Sequence, residues 1–276
     1  MEPTDSFFGI LDKLVAQRCD PILIAFDVGG RSSRGFTDIG VSFLDSRLLT
    51  THDAVNGSIP SIVTYHYLKR GRNESRRYRR AKRLSRFSKP WFIAQADMLS
   101  LLAHIFCYDD STTKSQVFSP FTLDTGSNYI NTPPLSVQMV NRRPLVLVGH
   151  DIQNDIQAVE RTGFTINHYA PVDAILDTQD IARELFGGTK TLGDLCQHLR
   201  IKAKNLHNSG NDATYTLLAL LKMGATVLGK REGGDCGIPE LMQNVVNTCL
   251  QNTEQNPMWQ RYARCKTLDG GNVLDE

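Results

Sequence analysis

Three aspartates and one histidine stand where a chain could assemble phosphodiester chemistry. Asp27 closes the apolar run ILIAFD and is followed by Val28 and the pair Gly29-Gly30; Asp155 follows His150 by five positions in HDIQND; Asp212 follows His207 by five in HNSGND. Each acid alone has an ordinary explanation, turn chemistry for Asp27 and a helix first turn for Asp155 and Asp212. Gathered at one place, the three would be hard oxygen ligands of the kind that hold Mg²⁺ or Mn²⁺ together with several waters. Two such ions can clamp a phosphodiester, one activating water and the other stabilising the leaving oxygen. His207 is of the residue type that most often takes a proton from water near neutrality. Its alternative is a polar loop histidine with no chemical role.

The elements that must position these groups follow from periodicity. Residues 6–18 read as an amphipathic helix, and 22–27, 35–43 and 62–67 as successive strands by their β-branched and aromatic content. Short connections between the first strands predict an antiparallel meander. Residues 94–107 carry apolar positions at helical spacing, and 115–136 is a polar stretch rich in Ser, Thr, Asn and Pro, a candidate lid or insertion. The continuous apolar run 144–149 marks a strand buried on both faces, and a helix follows it in HDIQNDIQAVERTG. Alternation continues with a strand at 174–177 and helices at 178–186, 191–199 and 211–223; one more helix and a polar tail lie beyond about residue 235. Three meander strands followed by β-α units predict an α/β fold: one mixed sheet, antiparallel meander plus parallel strands, flanked by helices. The expected organisation is an N-terminal helix over 1–20, one catalytic-size domain over 21–225 with a basic loop at 69–89 and a polar loop at 108–142, and a C-terminal helix and tail over 226–276. No internal repeat is visible.

Bulk properties narrow the setting. Hydrophobic residues make up 41% of the 276 and charged residues 22%, which is ordinary for a globular protein. No apolar run approaches the ~20 residues needed to cross a bilayer, so no membrane role is expected. The start MEPTDSFFGILDKLVAQRC has no basic region ahead of its apolar part, and the expected address is intracellular, cytoplasmic or nuclear. Six cysteines, without a CxxC pair or a close Cys/His grouping, read as reduced thiols rather than a zinc site.

Net charge is only +2, yet eleven Lys and Arg residues and a single acid, Glu74, fall within 69–89, leaving the remainder with 20 bases against 28 acids, net −8. Such a run is a solvated loop, a localisation signal or a contact for an anionic polymer. Within it Arg76, Arg77, Tyr78, Arg79, Arg80, Lys82 and Arg83 are the candidate nucleic-acid contacts. Tyr78, Phe87 and Trp91 interleave with the bases, and rings can stack on nucleobases.

Across residues 21–221 the order and placement of these motifs resemble the DEDDh 3′-to-5′ exonucleases of the RNase H-like superfamily, such as RNase T and the proofreading subunit of bacterial DNA polymerase. Spacing and the basic loop are most similar to fungal exonuclease-like proteins of that superfamily. Asp27 matches the Asp of the family's first motif, Asp-x-Glu, and TDIGVSF the strand that follows it. Asp155 matches the second-motif Asp, preceded by Gly-His and a short gap. His207 and Asp212 match the third motif, while Asp177 in ILDTQ reads as structural. The resemblance implies two-metal hydrolysis at the 3′ end of single-stranded RNA or DNA, with Mg²⁺ or Mn²⁺ held by Asp27, Asp155 and Asp212. Asp27 would bridge both ions, Asp212 would hold the nucleophile-side ion, Asp155 would support the other, and His207 would act as general base. One position departs: where the family has Glu this chain has Gly29, which implies weakened metal binding unless Asp38 or water compensates.

Other readings of the same residues are weaker. FDVGG resembles the first phosphate turn of actin-like sugar kinases, but no second phosphate loop follows. GRSSRGF has P-loop glycine spacing with Phe36 where the phosphate-binding Lys is required, and no GxGxxG is present. Gly29 and the basic run together also suit a non-catalytic nucleic-acid-binding or scaffolding module on the same fold.

Overall fold

The computed structural model describes residues 3–15, 20–30, 35–49, 61–71, 76, 79–81, 84–108, 142–230 and 237–254. Six strands, β1 (Ile22–Gly29), β2 (Asp38–Asp45), β3 (Val63–Lys69), β4 (Pro90–Ile93), β5 (Leu145–Gly149) and β6 (Val172–Asp177), form one sheet in the order β4-β3-β2-β1-β5-β6. β2 runs antiparallel to both β1 and β3, while β1–β5, β5–β6 and β3–β4 are parallel pairs. Around it lie α1 (Pro3–Val15), α2 (Met98–Phe106), α3 (Ile152–Glu160), α4 (Thr178–Phe186), α5 (Leu192–His198), α6 (Ser209–Lys230) and α7 (Ile238–Glu254). This is the mixed α/β RNase H-like architecture, with the antiparallel meander in place.

Strand alternation sorts the core into two layers. Ile22, Ile24, Phe26 and Val28 of β1 pack with Ile39, Val41 and Phe43 of β2 against α2 and α3. Leu23 and Ala25 face the opposite way, toward α1, α4, α5, α6 and α7. Because side chains alternate strictly, Asp27 and Gly29 continue the Leu23–Ala25 row and emerge on the α6 face. On β2 the same face carries Asp38, Gly40 and Ser42.

α6 is buried along most of its length, from Ser209 to Leu228. It starts directly on β2: a Cβ at Gly40 would fall inside the Ser209 carbonyl group, so only glycine lets the helix end come this close. Asn208 caps the helix, its side-chain oxygen accepting from the Asn211 N–H at 3.2 Å. One turn in, Thr214 closes a buried triangle of hydroxyls with Ser42 and Thr64, each side 2.9 Å. These bonds leave no buried hydroxyl orphaned among the three elements they join.

The far end of the sheet is held by charge. Arg143, only 1% exposed, donates to both Asp45 carboxylate oxygens at 2.7 and 2.9 Å and to the Asp20 carbonyl at 2.6 and 3.2 Å. Arg47 adds contacts to the same carboxylate. Burial works against ionisation of Asp45, but the arginines outweigh it and its carboxyl lies below the usual range.

Differences from the sequence reading have local causes. β4 goes unrecognised in the sequence because its four residues open with a buried Pro90 beside the basic run, and proline at the first residue of an edge strand is tolerated. β2 begins at Asp38 rather than 35, β6 at Val172 rather than 174, and α6 at Ser209 rather than 211. The polar stretch 115–136 and the tail beyond 254 lie outside the described residues. No helix among the described residues is long and apolar enough to cross a membrane.

Asp45→Ala leaves the Arg143 guanidinium buried without its carboxylate, and chemical denaturation is expected to show a loss of about 3–5 kcal/mol. A loss below about 1 kcal/mol would mean that this end of the sheet is held by packing alone.

Candidate active site

Asp27, Asp38, His66, Arg80, His207 and Asp212 line a cleft of about 440 Å³ where the C-terminal end of β1 meets the start of α6. Asp27 arrives by strand alternation; Asp212 arrives because it sits in the first turn of the helix seated on Gly40. Burial pushes the Asp212 carboxyl up to about 8, the adjacent Asp27 carboxylate adds to the rise, and backbone hydrogen bonds from His207 and Asn208 only partly oppose it. The Asp212 Oδ1 atom is buried without a hydrogen-bond partner. Two acids sharing a desolvated space cannot both ionise cheaply without a countercharge, and a divalent cation or a proton supplies one. In that respect Asp27 and Asp212 fit a metal ion. Among the described residues, however, no group of three or more His, Cys, Asp or Glu side chains converges as a ready-made ligand cage. The fit is that of an ion between two carboxylates with water completing its shell.

Asp155 does not share the cleft of Asp27 and Asp212. It is 1% exposed, and its Oδ1 accepts from the Val28 N–H at 3.2 Å, behind the β1 end that carries Asp27. α3, which carries it, is anchored by Asp177: this carboxylate accepts from the backbone N–H of Asp151, Ile152 and Gln179 at 3.1, 3.0 and 2.8 Å. His150 is likewise a clamp, its ring nitrogens meeting Thr178 Oγ1 and the Lys190 carbonyl, both at 3.0 Å. Burial holds its pKa below the ordinary imidazole value.

His207 is exposed at the rim of the cleft, in a left-handed backbone conformation with φ 62°. Arg200 and Asn205 share that conformation, so the segment leading into α6 turns tightly and delivers His207 beside the helix start.

Gly29 stands opposite Asp38 across β1 and β2. A Cβ at Gly29 would lie 2.6 Å from both Asp38 carboxylate oxygens. Asp38 accepts from Ser209 Oγ at 2.8 Å and Thr37 Oγ1 at 2.9 Å, and pairs with His66 Nε2 at 3.3 Å. Burial disfavours its charge, but these partners outweigh it and hold the carboxyl below the usual range. His66 and Ser209 carry no sequence signal; a strand histidine and a helix-start serine become site residues only through packing.

Of the candidate nucleic-acid contacts, Arg76, Arg79 and Arg80 are exposed, and Arg80 with Ala81 and Leu84 forms one wall of the cleft. Arg77, Tyr78, Lys82 and Arg83 lie outside the described residues. The descending end of the basic run is structural. Arg86 bonds Asn211 through its backbone N–H at 2.8 Å, and its guanidinium reaches Tyr215 and Thr253 at 3.3 and 3.2 Å. Phe87 meets Tyr215 edge-on at 5.2 Å, so this ring is committed to packing rather than to stacking on bases. Trp91 on the edge strand β4 is 41% exposed.

Over residues 22–223 the sequence matches the DEDDh family described as DNA polymerase III subunit epsilon-like, C-terminal domain. It is 37% identical over 89 residues to an uncharacterized nucleolar protein of Schizosaccharomyces pombe, a match covering 29% of this chain and 35% of that protein. An uncharacterized protein of Saccharomyces cerevisiae is 32% identical over 105 residues, 32% of this chain and 22% of that protein. The matched segments span about a third or less of these relatives.

The raised Asp212 carboxyl has a definite sign in stability. An acid whose folded-state pKa lies above its unfolded value stabilises fully below the unfolded pKa, and that contribution is lost as pH climbs from about 4 to about 8. Asp38 and Asp45, with lowered pKa values, behave oppositely and lose stability only in acid. Thermal melts in chelator are therefore expected to show Asp212→Asn gaining stability on the wild type at pH 8 and little at pH 4. Equal effects at both pH values would contradict the buried acid pair.

Proposed function

The chain belongs to the DEDDh family of DNA polymerase III epsilon-like domains, and from that membership we propose that it is a metal-dependent 3′-to-5′ exonuclease acting on single-stranded RNA or DNA ends. The observation that carries the reading is the pairing of Asp27 with Asp212 in the cleft, where a buried carboxylate oxygen is orphaned and the Asp212 pKa rises to about 8. Asp27 and Asp212 would hold Mg²⁺ or Mn²⁺, with Asp155 supporting from behind β1. Such ions supply an activated water and stabilise the leaving oxygen of a phosphodiester.

The remaining work falls to the protein's own groups. His207, exposed at the rim, accepts a proton from the attacking water. Arg80 and the neighbouring Arg76 and Arg79, continued by Arg77, Tyr78, Lys82 and Arg83, attract the phosphate backbone and lead the strand end toward the cleft. Residues 21–225, with α6 running on to Lys230, act as the catalytic domain, and α1 and α7 complete its core. The nucleolar description of the S. pombe relative supports a nuclear address. Gly29, in place of a carboxylate, favours a second reading: a nucleic-acid-binding module with weak or no cleavage.

One assay separates the two. A 5′-labelled single-stranded RNA or DNA should shorten stepwise from its 3′ end with Mg²⁺ or Mn²⁺, stop with chelator, and slow by at least about a hundredfold in Asp27→Asn, Asp212→Asn and His207→Ala. Salt-sensitive binding without shortening would favour the module, and shortening that persists in chelator would sink the metal-dependent reading. Replacing Arg76, Arg79 and Arg80 with Gln is expected to weaken single-strand binding about tenfold and flatten its salt dependence. Unchanged affinity would remove the basic run from the binding surface.

A further inference from the structure

We infer that Phe92 on β4, with Arg70 just past the end of β3, forms a stacking subsite for a base of the single strand a few nucleotides upstream of the cleft. This rests on the reading of the cleft as the place where a nucleic-acid end lies, and it names the ring that meets the bases. Register selects that ring. On the face that carries Asp27, the row through Gly29 continues across the sheet as Gly29–Asp38–Leu68–Phe92. Directly opposed residues point to the same side of a sheet. Gly29, Asp38 and Leu68 line the cleft, so Phe92 is the next side chain along the same row, at the sheet's edge. Trp91, although 41% exposed, pairs with Tyr67 in the opposite row. Tyr67 belongs to the core layer under α2 and α3, so Trp91 points away from the cleft.

The surroundings of Phe92 suit a stacked base. Among the described residues Leu68 and Phe92 belong to neither of the two core layers. Leu68 is buried and Phe92 is half-buried at the open end of this apolar pair. Arg70 is exposed, its backbone N–H bonds the Ile93 carbonyl at 2.8 Å, and its guanidinium lies over the Phe92 ring, 5.7 Å from the centroid. That distance is near the outer limit of a cation–π contact, and an exposed contact of this kind is worth less than the stacking of a base on a ring. A base can therefore take the ring while the guanidinium turns to its phosphate.

Distance and charge favour the same path. From β1 to β4 is three strand spacings, about 14 Å, so a strand whose end lies at Asp27 and Asp212 passes Phe92 within its last few nucleotides. Arg80 on the cleft wall and Arg70 at the edge flank that path. Asp38, the acid in the row, already accepts from Ser209 and Thr37 and pairs with His66. On the β5 side of β1 the ring that follows the strand, His150, is committed to Thr178 and the Lys190 carbonyl.

The test uses the full chain carrying Asp212→Asn, in chelator, so that strands are bound and not cut. It reads the fluorescence of 2-aminopurine placed second, third or fourth from the 3′ end of a single-stranded RNA or DNA. Binding is expected to quench the probe at one or more of these positions. Phe92→Leu, which keeps the apolar bulk and removes the π-face, should abolish that quenching and weaken affinity about tenfold. Phe92→Trp should keep affinity within about threefold of the parent, and Trp91→Ala should leave both readouts unchanged. Arg70→Gln should lower the salt slope of binding by about one. No quenching at any position, or quenching and affinity retained in Phe92→Leu, would overturn the inference; stepwise shortening by the wild type would still leave the nuclease reading standing. Should Phe92→Leu fail to fold, photocrosslinking of 5-iodouracil at the same positions decides alone: a crosslink at Phe92 supports the subsite, and no crosslink there overturns it. No binding of single-stranded RNA or DNA by the wild type would overturn both.

Discussion

The first turn of α6 resting on β2 at Gly40 is the contact on which the site depends. A side chain at 40 would collide with the Ser209 backbone, so the absence of a Cβ sets the distance between helix and sheet. That distance brings Asp212 beside Asp27, lets Ser209 reach Asp38, and presses Gly210 against His66. The hydroxyl triangle of Ser42, Thr64 and Thr214, one turn further along, locks the same helix to two strands. Sliding the helix by a few tenths of an ångström would disturb all of these at once, because packed interiors respond to strain collectively.

The two ends of the sheet treat buried charge in opposite ways. At the Asp45 end both oxygens of that carboxylate face a guanidinium, and its pKa lies below the usual range. At the Asp27 end two carboxylates share a cleft, and one of them is pushed toward the protonated form by burial and by its neighbour. The first arrangement ties the beginnings of β1 and β5 to the end of β2. The second stores an electrostatic conflict in a concave place reachable from solvent, which is where functional sites concentrate perturbed groups.

The basic run packs against the same helix, α6. Its descending end is stitched to α6 and α7 through Arg86 and Phe87, which fixes where the preceding turn must lie. Arg80, Ala81 and Leu84 consequently stand as a wall of the acidic cleft. A positive rim beside a negative floor suits a ligand that is anionic along its length and meets cations at one end. Arg86 therefore serves placement, while Arg76, Arg79 and Arg80 keep their charges exposed to solvent.

The sequence by itself marked five of the six strands and most helices, and it singled out Asp27, His207 and Asp212 as candidates, which share one cleft, because hydrophobic period and motif spacing are local properties of the chain. It could not show that Asp155 turns inward to the Val28 N–H, that Phe87 is spent on Tyr215, or that β4 adds to the edge. Nor could it show that Asp38 fills the space beside Gly29, since residues nine apart in the chain become neighbours only when antiparallel register pairs them. Tertiary structure decided those points for one physical reason: which carboxylate faces a cleft and which faces a backbone amide depends on how closely helix and sheet approach, and that approach is set by the packing of the whole core.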